Sequence, residues 1–179
     1  NEQNQEVIFE SKTASNQIIR LVYSLPKDGY QIKLEISTSN FAPSLSSSDA
    51  PKLTWSTTVF RNSRSIEYEN RYTEYTYGYD EDRVDYLSLS GQDEEQMRNI
   101  RWISYRQHFF SAILVPKEPL DEVQMYSKNL ADDDKLEERF TKYFRSTFPV
   151  ERQNGELDAE FIFYYGPSDY KTLKLLPGD

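Results

Sequence analysis

The chain has 179 residues and a mass of 21.2 kDa, the size of one domain. Its 21 Lys and Arg face 30 Asp and Glu, a net charge of −9, which argues against the cationic surface that nucleic-acid binding requires. No cysteine is present, so disulfide frameworks, thiol catalysis and Cys-based metal or iron–sulfur sites are excluded.

Aromatics reach 15% although mean hydropathy is −0.80, which describes a folded chain with a thin, Tyr- and Phe-rich core. The polar start, Asn1-Glu2-Gln3-Asn4-Gln5-Glu6, has neither the basic nor the apolar region of a signal peptide. The longest apolar stretch, Phe109 to Val115, is far short of the ~20 residues of a membrane span. The chain therefore reads either as a soluble protein or as a piece of a longer one.

Period-2 alternation dominates. Gln17 to Leu25 and Tyr30 to Ile36 flank Pro26-Lys27-Asp28-Gly29 and predict an antiparallel hairpin, with Ile32, Leu34 and Ile36 facing the core. Serines and prolines make residues 39–51 a loop. Lys52 to Trp55 predicts a short strand, and Arg71 to Tyr77 another, ended by Gly78. Ile100 to Tyr105 and Phe109 to Val115 predict consecutive strands, the second apolar on both faces, hence central, and stopped by Pro116. Glu122 to Lys128 is a further strand. Thr141 to Val150 and Ala159 to Tyr165 flank Asn154-Gly155, a strong hairpin signal.

Helical signals are few. Residues 130–144 predict no more than a short helical turn. After Gly166-Pro167, Ser168 is placed to cap a terminal helix, taken over residues 168–176. The sum is one all-β domain over residues 1–179, a sandwich of mostly antiparallel strands with a short C-terminal helix.

Chemistry is thinly signalled. The six glycines are too scattered to cradle a phosphate or form a dinucleotide fingerprint, and no Gly-x-Ser-x-Gly elbow exists. His108 stands alone and reads as a structural residue at a strand start. The acids Asp80-Glu81-Asp82 and Asp85 lack the spacing of a calcium loop and read as a solvated hairpin tip. Neither catalytic, cofactor-binding nor metal-binding residues are predicted. Tyr72, Tyr75 and Tyr77 are candidate cleft aromatics for a carbohydrate or peptide groove, with packing inside the sheet as the plainer reading.

Four stretches, in order, resemble the large periplasmic domain of YidC-type membrane protein insertases. They are Ile18 to Tyr23 with Gly29 to Ile32; Asp82-Arg83-Val84-Asp85-Tyr86-Leu87-Ser88; Ile100 to Leu114 around Arg106-Gln107-His108-Phe109-Phe110; and Phe163-Tyr164-Tyr165-Gly166-Pro167-Ser168-Asp169-Tyr170-Lys171-Thr172-Leu173-Lys174. The resemblance implies a β-supersandwich of the galactose-mutarotase-like class, ending in a helix that leads toward the membrane. It implies a non-enzymatic domain at the periplasmic face of the bacterial inner membrane, belonging to a multi-pass insertase and chaperone. The implied partners are Sec-translocon components and inner-membrane client proteins, with no cofactor and no obligate small molecule. Under this reading Gly166, Pro167, Tyr170, Leu173 and Lys174 couple the sandwich to the membrane part. The alternative is a carbohydrate-binding or mutarotase-like sandwich with a Tyr-lined cleft.

Overall fold

The computed structural model describes residues 5–41, 51–133, 135–136, 138–150, 152–174 and 176. The greater part of the expected 39–51 loop lies outside them. Alternating residues build two antiparallel sheets. The larger contains β1 (Gln5–Lys12), β2 (Ile18–Leu25), β3 (Gln31–Ser39), β5 (Glu74–Tyr79), β6 (Arg83–Tyr86), β8 (Ile100–Arg106), β9 (Phe110–Pro116) and β13 (Glu156–Pro167), in the order β1-β2-β3-β13-β9-β8-β5-β6. A two-residue strand, β12 (Arg152–Gln153), pairs with β13 off this path. The smaller sheet runs β4-β11-β10-β7, from β4 (Lys52–Phe60), β11 (Phe140–Pro149), β10 (Val123–Asn129) and β7 (Gln92–Met97). Two short helices, α1 (Ile66–Arg71) and α2 (Tyr170–Leu173), complete the described residues.

The sheets face each other across one core, in which Leu34, Tyr75, Ile103, Tyr105, Leu114 and Phe161 meet Val59, Met125, Phe144 and Phe148. The hairpin of β2 and β3 forms as expected, with Leu34 and Ile36 buried and Ile32 packed against the core. Strand β9 is central, held by β13 on one side and β8 on the other. Inside the sandwich the Tyr75 and Tyr105 hydroxyls both meet the Ser146 hydroxyl, at 2.6 and 2.7 Å, and Tyr105 also donates to the Trp55 carbonyl at 2.9 Å. The Trp55 ring stacks on Tyr105 at 4.0 Å. This small network satisfies polar atoms that burial would otherwise penalise, and it rivets the two sheets together.

Several expectations need correction. Arg71 does not open a strand. It ends α1, whose start is capped by Ser65 accepting from the Tyr68 amide, and β5 begins at Glu74. Gly78 does not end β5 but lies inside it, because a Cβ there would overlap the Trp102 indole on the neighbouring strand. The Asn154-Gly155 turn forms, with both residues at positive φ, yet it closes only β12 onto β13. Strand β11 crosses to the other sheet between β4 and β10, where Phe144 and Phe148 bury completely. Ser168 does not cap the last helix. Asp169 does, accepting from the Lys171 and Thr172 amides, while the Ser168 hydroxyl meets that of Ser111 at 2.8 Å. Strands β1, β6 and β7 come as additions to the sequence reading.

Candidate contact surface

The acidic run Asp80-Glu81-Asp82 is the β5–β6 turn, tied locally by Asn99 donating to Asp80 at 3.0 Å and Arg83 lying 3.6 Å from Asp80. The three candidate cleft tyrosines separate. Tyr75 and Tyr77 point inward from alternate positions of β5 and are buried; Tyr77 donates to Glu95 at 2.7 Å. Burial pushes both phenols well above their ordinary range, and for Tyr77 the Glu95 carboxylate adds to the effect. Only Tyr72 reaches the surface, on the turn after α1. No open Tyr-lined stripe is formed by the three together.

Tyr72 instead joins a ring cluster at the tip of the β8–β9 hairpin. His108 packs against Tyr72 at 4.7 Å, Tyr68 at 5.3 Å and Phe109 at 4.0 Å, all edge-on. The tip is braced by Gln107 donating its amide to the Phe110 carbonyl at 2.7 Å. Asn62 at the far end of β4 reaches across to the Gln107 side chain at 3.3 Å. His108 is thus held in an aromatic pile just before β9.

The predicted coupling residues come together beside this tip. Gly166 and Pro167 are the last residues of β13, opposite Ser111 and Phe110. Gly166 is required there: a Cβ would come within 2.7 Å of the Tyr164 and Tyr30 rings. The Tyr164 hydroxyl donates to the Pro167 carbonyl at 2.6 Å, and the Ser168 amide donates to the Phe109 carbonyl at 2.8 Å. The chain then turns into α2, which lies against the outer face of β8 and β9. Leu173 and Leu176 flank a groove of about 460 Å³ whose floor includes Trp102, Ile113 and Val115. Tyr170 and Lys174 are exposed.

A second surface was not anticipated. Among the described residues strand β1 pairs only with β2, and all eight of its residues are exposed. Val7, Ile8 and Phe9 are 49%, 47% and 57% accessible, although Phe9 also meets the Tyr23 ring edge-on. An open sheet edge carrying three adjacent apolar side chains is a template for further strand pairing. The consecutive Val7-Ile8-Phe9 is the signal that could have revealed it.

The family model described as the YidC periplasmic domain matches residues 1–178. The chain belongs to the YidC periplasmic domain family. It is similar to the membrane protein insertase YidC of Parabacteroides distasonis, 29% identical over 172 residues and 94% of this chain. Its likeness to the namesakes from Porphyromonas gingivalis, 28% identical over 94% of this chain, and Bacteroides fragilis, 27% over 98%, is comparable. The YidC periplasmic domain seen here spans only about a quarter of the length of these curated relatives, 26–28%. No described helix is long and apolar enough to cross a membrane.

Proposed function

We propose that this chain is the non-enzymatic, periplasmic part of a membrane protein insertase and chaperone, working by contact at the periplasmic face of the inner membrane. The observation that carries the contact mechanism is the open edge of β1 with exposed Val7, Ile8 and Phe9. An extended apolar segment of a client emerging from the membrane, or of a translocon partner, would add to this edge as another strand. Main-chain hydrogen bonds would give affinity and the apolar side chains selectivity. In the same reading Gly166, Pro167, Tyr170, Leu173 and Lys174 couple the sandwich to the membrane part, since α2 docks on the outer sheet face immediately after the last strand.

The test places a photo-crosslinker on β1 of the full-length parent and compares it with an Ile8→Lys variant, a charge that natural edge strands use to block pairing. Crosslinks to nascent or translocon polypeptides, reduced severalfold in the variant at unchanged melting temperature, are the expected result. Equal crosslinking in both proteins overturns the edge as the contact site.

A further inference from the structure

Register places both ends of the described chain at one end of the large sheet. Gln5 of β1 lies opposite Leu25, and the β2–β3 turn follows directly. Strand β3 begins at Gln31 opposite Tyr164, three residues before β13 finishes at Pro167 opposite Phe110. Arg106 ends β8 opposite Ser111 of β9 and Glu74 of β5, so the β8–β9 tip and the start of β5 share this end with α2.

The same end carries a concentration of exposed rings. Phe110, Phe109 and Tyr170 are 59%, 68% and 75% accessible, and Tyr30, Tyr68 and Tyr72 are exposed beside them. The opposite end differs. Its turns at residues 13–17, 80–82 and 154–155 contain no large apolar side chain and no exposed ring, and its exposed apolar side chain is the aliphatic Val84 just after the second of them, 64% accessible. Tyr, with an apolar ring and a polar tip, suits the interfacial layer of a bilayer, and Phe suits the shallow acyl boundary below it. The His108 pile fixes the direction of Phe109, and the Ser168–Phe109 hydrogen bond locks the tip to the exit of the chain. Exposed charges on the segments at this end are of both signs, Lys27, Arg64, Arg71, Lys171 and Lys174 against Asp28, Glu67, Asp132, Asp133 and Asp169. A mixed rim favours a zwitterionic surface over a strongly anionic one.

We infer that this aromatic end is a membrane-interface foot, with Tyr170 seated in the headgroup layer of a zwitterionic bilayer and Phe109 and Phe110 at the shallow acyl boundary below it. The inference rests on the reading of the chain as part of a membrane protein, and not on client capture at β1. It holds the sandwich upright, with its acidic β5–β6 turn pointing away from the lipid.

Because this chain lacks cysteine, a spin label can be placed uniquely in the domain, in a full-length parent cleared of other cysteines and reconstituted in phosphatidylcholine nanodiscs. Phe109→Cys and Tyr170→Cys report on the foot from two highly exposed positions, the first used only where its melting temperature matches the unsubstituted protein because the Phe109 ring packs on His108, and Glu81→Cys reports on the far end. The label at 109 should be relaxed by oxygen and shielded from a water-soluble nickel chelate, at least severalfold relative to 81, with the label at 170 between the two. A label at 109 as open to the chelate as at 81, or shielded from both relaxants as under a protein partner, overturns the foot. Neither of those outcomes touches β1 crosslinking, so the two readings fail separately.

Discussion

Lys142 occupies an inward position of β11, in series with Phe144, Ser146 and Phe148, and is buried with its ammonium donating to the Thr73 carbonyl at 2.7 Å. Burial lowers its pKa from 10.5 to about 8, against a smaller pull from the Glu74 carboxylate. Between those values the unfolded chain binds the extra proton and the folded chain does not. Stability therefore rises as pH climbs from about 8 toward 10.5. The phenols of Tyr75, Tyr77 and Tyr105, raised chiefly by burial, act in the opposite sense. Above about pH 10 the unfolded chain loses those protons first, so stability falls. A melting-temperature profile should peak near pH 9–10, an order-of-magnitude placement from these shifts. Lys142→Met should flatten the rise above pH 8 and raise stability at pH 7 by about 1–2 kcal/mol, the relief of desolvation less the bond to Thr73. Chemical denaturation at both pH values checks this, and an unchanged slope would remove Lys142 as its source.

At the scale of elements, close approach decides which residues are tolerated. Gly78→Ala forces a methyl into the Trp102 indole, so β5 and β8 must separate or the ring must turn. A loss of about 1–3 kcal/mol is expected, seen as a lower denaturation midpoint with altered tryptophan emission. The helix α2 is only four residues long, is capped by Asp169, and presents the half-buried Leu173 to a groove shared with the outer sheet face. Leu173→Asp should cost about 1–2 kcal/mol through lost apolar contact and a partly buried carboxylate. For a domain of this size that amounts to roughly 2–8 °C in thermal melting. Unchanged melting together with lost assembly of the parent would assign Leu173 to partner contact instead. The strands β2, β3, β8, β9 and β10 were legible because alternation and turn residues are local properties. The helix α1 was hidden, because Tyr68 and Tyr72 continue the aromatic spacing that suggests a strand. Its actual signals, the Ser65 cap and the acids Glu67 and Glu69, are spread over one turn.

Across the whole molecule, the net charge of −9 and the thin apolar content accompany a sandwich whose exposed apolar groups include the β1 edge, the aromatic end, and Val84 and Tyr86 on β6 at the other edge. Ordered resemblance along the chain already pointed to the family, and the match over residues 1–178 bears it out. Composition, alternation and turn chemistry by themselves determined an all-β domain, its main hairpin and its central strand. These follow from backbone preferences and from which face of a strand repels water, both encoded within a few residues. Only the tertiary structure decided that β11 leaves β13 for the other sheet, that Tyr75 and Tyr77 turn inward while Tyr72 stays out, and that the start of β1 and the end of β13 lie at the same end of the large sheet. Those outcomes depend on which distant surfaces bury the most area together, a property of pairs of elements that no local stretch contains.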